Sequence, residues 1–209
     1  MLLDTLKDKN VILGSQSPRR AELLKGLGIS YTQCNDMDTD ESWPENLSKN
    51  GVPTYIAEKK SQAYPKELKE NDILITADTI VWIEDEILNK PADRDDAIRM
   101  LNMLSGRMHE VITAVTLRSK DKMQTFIASS FVHFRPLEDE EIEYYVDNYK
   151  PYDKAGAYGI QEWLGFIALE RIEGSYFNVM GLPVQRLYVE LIKFTSTYES
   201  AGIDGYYQE

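Results

Sequence analysis

Cysteine is almost absent from this chain, and basic residues are outnumbered by acidic ones. The 209 residues include one cysteine, Cys34, so the chain forms no internal disulfide, which is typical of a reducing compartment. The 23 Lys and Arg residues against 35 Asp and Glu residues give a net charge of −12. This charge disfavours a stable nucleic-acid partner or binding to an anionic membrane surface. Any phosphate-binding site must therefore be a local basic patch in a negative field.

Long hydrophobic runs are absent too. No stretch reaches the roughly 18 apolar residues needed to span a membrane, so we expect no membrane association. The first residues lack a basic start followed by a long apolar core, so we expect no secretory signal and a cytoplasmic location. A hydrophobic content of 43% nevertheless favours a globular enzyme with a substantial core.

Hydrophobic periodicity predicts an α/β domain in which strands and helices alternate and hairpins also occur. Predicted strands cover 10–13, 30–34, 73–83, 86–88, 108–118, 123–134 and 166–172. Predicted helices cover 18–27, 53–69, 92–104, 137–148 and 182–195. Because hairpins bring antiparallel pairs, the sheet should be mixed. We predict one domain over 1–195 and a frayed tail over 196–209.

The segment 12–20, Ile-Leu-Gly-Ser-Gln-Ser-Pro-Arg-Arg, predicts a strand, a small-residue loop and the start of a helix. Ser17 suits the N-cap, and Pro18 suits the first helical position because its missing N–H is not needed there. The side chains expected to converge at this helix start are Ser15, Ser17, Arg19 and Arg20. Adjacent arginines often face solvent, but cations are unfavourable at a helix N-terminus unless an anion binds there. The segment therefore predicts a phosphate site.

Acidic residues at two places are candidates for chemistry. Asp78 interrupts the apolar run 73–83, and a buried carboxylate without a partner costs several kcal/mol, so Asp78 is either paired or kept for function. The acidic segment 36–41 is either a solvated loop or a site for a hard cation, which binds carboxylate and phosphate oxygens together.

A later segment, 152–161, combines small residues with polar ones at intervals. Small residues permit a ligand to approach the backbone closely. Gln161, at its end, carries both a donor and an acceptor, which suits the edge of a pyrimidine.

The segments 12–20, 77–81 and 152–161 together resemble the Maf family of nucleoside triphosphate pyrophosphatases. The resemblance extends from about residue 11 to residue 191. It implies a fold like that of the inosine triphosphatases, with a strongly bent mixed β-sheet flanked by helices and two lobes around a cleft. It also makes a homodimer plausible.

The same resemblance implies roles for individual residues. Asp78 would accept the proton of the attacking water, and Glu41 with Asp78 would hold a divalent metal cation, Mg²⁺ or Mn²⁺. The catalytic set is Asp78, Lys60, Lys90 and Glu41, and the substrate-binding set is Ser15, Ser17, Arg19, Arg20, Thr79, Asp153, Lys154 and Gln161.

Three positions leave the correspondence open. Lys59 adjoins Lys60, so the register of the matching lysine could differ by one residue. Asp38 and Asp40 are alternatives to Glu41 as the metal-binding acid. Asn89 stands before Lys90 where the family usually has glycine.

Thr79 and Gln161 match the branch of the family that acts on dTTP and UTP, and with Arg19 they are expected to set base preference. The predicted reaction converts a nucleoside triphosphate to the monophosphate and pyrophosphate, for nucleotide-pool sanitation. Two alternatives are a pyrophosphatase for noncanonical purine triphosphates and a noncatalytic regulator of septation during cell division.

Overall fold

The computed structural model describes residues 1–37 and 39–196 of the chain. Its strands are β1 (Asn10–Gly14), β2 (Tyr31–Cys34), β3 (Asp72–Ile83), β4 (Glu86–Leu88), β5 (Met108–Arg118), β6 (Met123–Phe134) and β7 (Leu169–Glu173). Its α-helices are α1 (Leu2–Thr5), α2 (Pro18–Gly26), α3 (Gly51–Gln62), α4 (Arg94–Leu104), α5 (Asp139–Tyr149), α6 (Trp163–Ala168), α7 (Tyr176–Val179) and α8 (Val184–Thr195). A single 3₁₀ turn covers Ala155–Ala157. The predicted tail lies outside the described residues except for Ser196.

The sheet is mixed, as predicted. Its strand order is β2-β1-β3-β5-β6-β7, and β4 pairs with β3. β1 is parallel to β2 and β3, whereas the pairs β3–β5, β5–β6 and β6–β7 are antiparallel. The turn between β3 and β4 places Glu84 and Asp85 at φ 47° and 66°, the left-handed pair that a two-residue hairpin favours.

Two predicted elements were wrong in part. The helix predicted over 53–69 ends at Gln62, because Pro65 disfavours helical backbone at Tyr64. The strand predicted over 166–172 begins only at Leu169, and the residues before it form α6. Leu164 and Ala168 are buried on α6 and lie four residues apart, which is the spacing of one helix face. The prediction extended the strand over part of this helix.

The long strand β3 crosses two separate hydrophobic cores. On one face, Ile73, Ile75 and Ala77 join a core that includes residues of α2 and α8. Further along the same face, Val81 and Ile83 join a second core that includes residues of α4 and α5. The fold therefore has two lobes that share the strand.

β5 crosses the same two cores. Val115 and Leu117 belong to the first and Val111 to the second. Thr79 of β3 and Thr113 of β5 are direct partners in the sheet, and each lies in the interval between the cores. The polar interval marks the position of the cleft expected between the lobes. Among the helices in the described ranges, none is both long and apolar enough to cross a membrane.

Candidate active site

A cleft of about 790 Å³ opens at the interval between the two cores. All of the site residues predicted from the sequence line it: Ser15, Ser17, Arg19, Arg20, Glu41, Lys60, Asp78, Thr79, Lys90, Asp153, Lys154 and Gln161. They come from loops and elements scattered over most of the chain, which the shared strands bring together. The structure thus assembles the predicted residues, while the role of each stays a prediction.

The N-terminus of α2 faces this cleft. The Ser17 hydroxyl caps the helix by accepting from the Arg20 backbone N–H at 3.5 Å, and Pro18 occupies the first turn. The Ser15 hydroxyl accepts from the Ser17 backbone N–H at 3.2 Å. These contacts produce the strand, loop and helix start predicted for 12–20.

The two arginines of α2 are placed differently. Arg19 reaches across the cleft mouth to Asp153, with 3.1 Å between Nη1 and the carboxylate. Arg20 is built into the wall, where its Nε donates to the Gly181 carbonyl at 2.8 Å. Desolvation lowers the pKa of Arg20, and the nearby carboxylates of Asp78 and Glu41 oppose that shift. Arg19 is therefore the arginine more available to a ligand.

Asp78 lies on the face of β3 covered by α3 and is paired with lysine. Lys60 Nζ lies 2.7 Å from Asp78 Oδ1 and 2.9 Å from Glu41 Oε1. Lys90 Nζ lies 2.8 Å from Glu41 Oε2. The carboxylate in the apolar strand is thus ion-paired and also lines the cleft, while its role in the chemistry stays a prediction.

Burial alone would raise the pKa of Glu41, but the charges of Lys60 and Lys90 outweigh burial and lower it to about 2. Glu41 is therefore ionised at neutral pH. The two carboxylates converge on one ammonium group, where they balance the charge of the lysines.

The structure distinguishes the neighbouring residues by their position relative to the cleft, while their roles stay predictions. Lys60 points into the cleft, whereas Lys59 pairs with Asp40 at 3.2 Å outside it. The Asp40 side chain is 72% exposed, while that of Glu41 is 29% exposed and cleft-lining. Asp36 also borders the cleft, and Asp38 lies outside the described residues.

The residues present fit a divalent cation only in part. Within 1–37 and 39–196, no group of three or more His, Cys, Asp and Glu side chains could hold a metal alone. Glu41 and Asp78 share Lys60 as a partner, so their oxygens already approach one point. Mg²⁺ commonly takes one or two carboxylates and completes its shell with water and substrate phosphates. The donor set therefore suits a cation that arrives with a triphosphate.

The segment 153–162 forms the opposite wall. Lys154 is buried and pairs with Asp153 at 2.7 Å and with Glu162 at 3.1 Å. Tyr145 of α5 donates to Glu162 and accepts from the Gly159 backbone N–H at 3.0 Å. Lys154 is thus held within the wall, and Glu162 and Tyr145 are supporting residues that the sequence analysis missed. Glu162 directly follows Gln161, but nothing in the sequence links it to Tyr145.

Gly156 lets this wall pack closely on β3. Its φ is +68°, and a Cβ there would lie 2.9 Å from Val81 Cγ2. Side-chain-bearing residues are therefore excluded by both backbone conformation and space.

Gln161 presents an unsatisfied group. Its Oε1 is buried and has no hydrogen-bond partner among the described residues. Because buried polar atoms are nearly always paired, this oxygen is a candidate ligand acceptor.

Thr79 lies on the other face of β3 from Asp78 and belongs to a chain of hydrogen bonds, which we call the hydroxyl chain. It runs from the Arg20 guanidinium through the uncharged groups of Thr79, Thr113 and Asn178. Arg20 Nη2 donates to Thr79 Oγ1 at 3.1 Å, and Thr79 Oγ1 lies 3.0 Å from Thr113 Oγ1. Thr113 Oγ1 donates to the Asn178 carbonyl at 3.2 Å. The sequence analysis missed Thr113 and Asn178, although Thr113 is a polar residue in an otherwise apolar stretch of β5.

The chain is similar to several known proteins. The family model described as "Maf-like protein" matches residues 10–194. A dTTP/UTP pyrophosphatase of Porphyromonas gingivalis is 51% identical over 195 residues, covering 92% of this chain and 98% of that protein. One of Parabacteroides distasonis is 51% identical over 193 residues, covering 92% of this chain and 100% of that protein. A solved HAM1 protein from Coxiella burnetii is 12% identical, with a TM-score of 0.47 over 88% of this chain and 99% of its own.

Proposed function

The chain belongs to the Maf family, and on that premise we propose that it hydrolyses dTTP and UTP to the nucleoside monophosphate and pyrophosphate. The observation that carries the proposal is the convergence of Asp78, three basic side chains and the N-terminus of α2 in one cleft. The names of the relatives, at about half identity over nearly the full length, supply the substrate class.

In the proposed reaction, a water oxygen attacks the α-phosphorus and the bond from that phosphorus to the bridging oxygen breaks. Asp78 takes the proton of the water, and pyrophosphate departs with the bond electrons. The contact with Lys60 Nζ at 2.7 Å holds the Asp78 carboxylate in the cleft, where it would reach the attacking water. A positioned general base contributes roughly 10²- to 10⁴-fold to a rate.

Basic residues are proposed to stabilise the leaving group. Lys60, Lys90 and Arg19 surround the cleft and would bind phosphate oxygens in place of their present carboxylate partners. Because phosphoryl transfer relies on positioning and charge neutralisation, these contacts supply most of what the reaction needs.

The divalent cation is part of the proposal. Glu41 and Asp78 would hold it, and when bound it neutralises phosphate charge and orients the triphosphate. The support is the convergence of the two carboxylates on Lys60 Nζ.

The experiment is pyrophosphate release from dTTP, UTP, CTP, GTP and inosine triphosphate, with Mg²⁺ or Mn²⁺ and with excess EDTA. We expect dTTP and UTP to be the best substrates, pyrophosphate to be the product, and EDTA to abolish turnover. Preference for inosine triphosphate would favour the purine alternative, and no turnover would favour the noncatalytic one. Full activity in EDTA would contradict the metal-dependent mechanism.

Other expectations remain predictions. These are the cytoplasmic location, the homodimer, the single domain over 1–195, the use in nucleotide-pool sanitation and the regulation of septation.

A further inference from the structure

The hydroxyl chain has a definite direction because each hydroxyl carries one proton. The Asn178 carbonyl can only accept, so Thr113 must donate its proton to Asn178 at 3.2 Å. Thr113 then has no proton left for Thr79. In the 3.0 Å contact between the two threonines, Thr79 is therefore the donor.

The end of the chain at Thr79 is fixed in the same way. Thr79 donates its single proton to Thr113 and accepts from Arg20 Nη2 at 3.1 Å. One lone pair remains on Thr79 Oγ1, without a partner among the described residues, and Thr79 lines the cleft. Toward a ligand, Thr79 can only accept a hydrogen bond.

We infer that Thr113, held by Asn178, is a positioning residue that makes Thr79 an acceptor-only contact and so selects pyrimidines with an N–H at the facing edge. Uracil and thymine carry a proton on N3, whereas neutral cytosine carries a bare, accepting nitrogen there. Two acceptors facing each other leave both unpaired, which disfavours CTP. The inference rests on the proposed function, which it deepens.

Asn178 anchors the far end of the chain. Its side chain is fully buried, and Nδ2 donates to the Val111 carbonyl and to Ser130 Oγ, each at 3.0 Å. The carbonyl that receives the Thr113 proton therefore belongs to a residue fixed on two sides. This anchoring fixes the position of the carbonyl acceptor that the Thr113 hydroxyl faces.

Gln161 lines the same cleft, and its buried Oε1 is an acceptor that lacks a donor among the described residues. The Gln161 amide also carries N–H donors, so the acceptor-only contact is that of Thr79. This polarity separates one pyrimidine from another and does not exclude guanine, which also carries a ring N–H.

The test compares kcat/KM for UTP and CTP in the wild type and in Thr113→Val. Valine has the shape of threonine without the hydroxyl, so Thr79 regains a proton that it can offer to cytosine. The Asn178 carbonyl stays paired because the Gly181 backbone N–H donates to it at 2.9 Å. We expect the UTP to CTP ratio of kcat/KM to fall by about 10-fold.

Two variants serve as controls. Thr113→Ser keeps the hydroxyl and should keep the wild-type ratio. Thr116→Val removes a fully buried hydroxyl from the same strand, where Thr116 pairs with Thr125 at 3.0 Å away from the cleft, and should also keep the ratio. Inhibition by pyrophosphate should be the same in all of them, because the phosphate contacts are untouched. If Thr113→Val does not fold, Thr113→Ala provides the same comparison.

Specific outcomes would overturn the inference. If the wild type prefers UTP and Thr113→Val or Thr113→Ala keeps that preference, Thr113 does not set the polarity and the proposed function still holds. An equal fall of the UTP to CTP ratio in Thr116→Val would show that the effect comes from general destabilisation of the protein. If the wild type hydrolyses neither UTP nor dTTP, the proposed function fails and the inference fails with it.

Discussion

Asp78 and Thr79 are neighbours on β3, yet their side chains lie in two different kinds of surroundings. Asp78 faces α3 and is held by the charges of Lys60, which also binds Glu41. Thr79 faces the opposite side and is held by the neutral groups of Thr113 and Asn178. Because successive side chains of a strand alternate between faces, one dipeptide serves both regions.

The two regions differ in how easily they can be rearranged. Lys90 and Glu41 are 48% and 29% exposed, so their ion pairs can exchange for phosphate and cation contacts. Thr113 and Asn178 are fully buried, and the Thr113 hydroxyl faces one fixed carbonyl acceptor on Asn178. The comparison teaches that the charged region can adapt to the substrate, whereas the neutral region is fixed before the substrate arrives.

The change with the largest expected effect is Asp78→Asn, which removes the proton acceptor from the charged region. We expect kcat for dTTP to fall roughly 10²- to 10⁴-fold while the protein stays folded. Asp72→Asn is the matched control, because Asp72 is also a buried carboxylate of β3 but pairs with Asn10 at 3.1 Å. More than about a tenth of wild-type kcat remaining in Asp78→Asn would contradict the role of general base.

Next in size is the difference between Lys60→Gln and Lys59→Gln. Lys60 contacts both cleft carboxylates, so its loss should reduce kcat/KM by roughly 10²-fold, as the removal of one transition-state donor does elsewhere. Lys59 pairs with exposed Asp40, and its loss should change kcat/KM by less than about 3-fold. Equal effects of the two substitutions would show that the assignment of Lys60 to the cleft is wrong.

The smallest expected effect is a pH dependence that only the charged region should have. The pKa of Glu41 is lowered from an ordinary value of about 4.5 to about 2, so ionised Glu41 stabilises the fold above about pH 4.5. That stabilisation is lost as the pH falls toward 2. The Tm difference between the wild type and Glu41→Gln should therefore shrink over this range.

Thr113→Val is the control for that measurement, because it alters only neutral groups. Its Tm difference from the wild type should stay constant over the same pH range. A constant difference for Glu41→Gln as well would contradict the lowered pKa of Glu41.

The sequence predicted the parts of the site that depend on local pattern. Alternating apolar residues gave the observed bounds of β5 and β6, and the helix start at Pro18 followed from its capping residue. Each predicted site residue lies in a short motif, so its type and spacing were visible. The structure then showed that the motifs meet in one cleft.

The missed residues act through contacts between distant parts of the chain. Thr113 meets Thr79 only because of the register of β3 with β5, which no local pattern encodes. In the sequence, Tyr145 looks like an ordinary core residue of an amphipathic helix. Only the structure shows that its hydroxyl contacts Glu162. Likewise, the sequence could not tell whether Lys59 or Lys60 lines the cleft, because that depends on the direction of each side chain.

The passage of β3 and β5 through both cores also has a mechanical consequence. The two strands pair at nine consecutive positions, from Leu74 to Trp82, so the lobes are connected by a continuous hydrogen-bonded ladder and not by a flexible hinge. If the lobes close on a nucleotide, this ladder must bend as a unit. Thr79 and Thr113 then stay opposite each other during closure, so the contact between them is the same whether the lobes are open or closed.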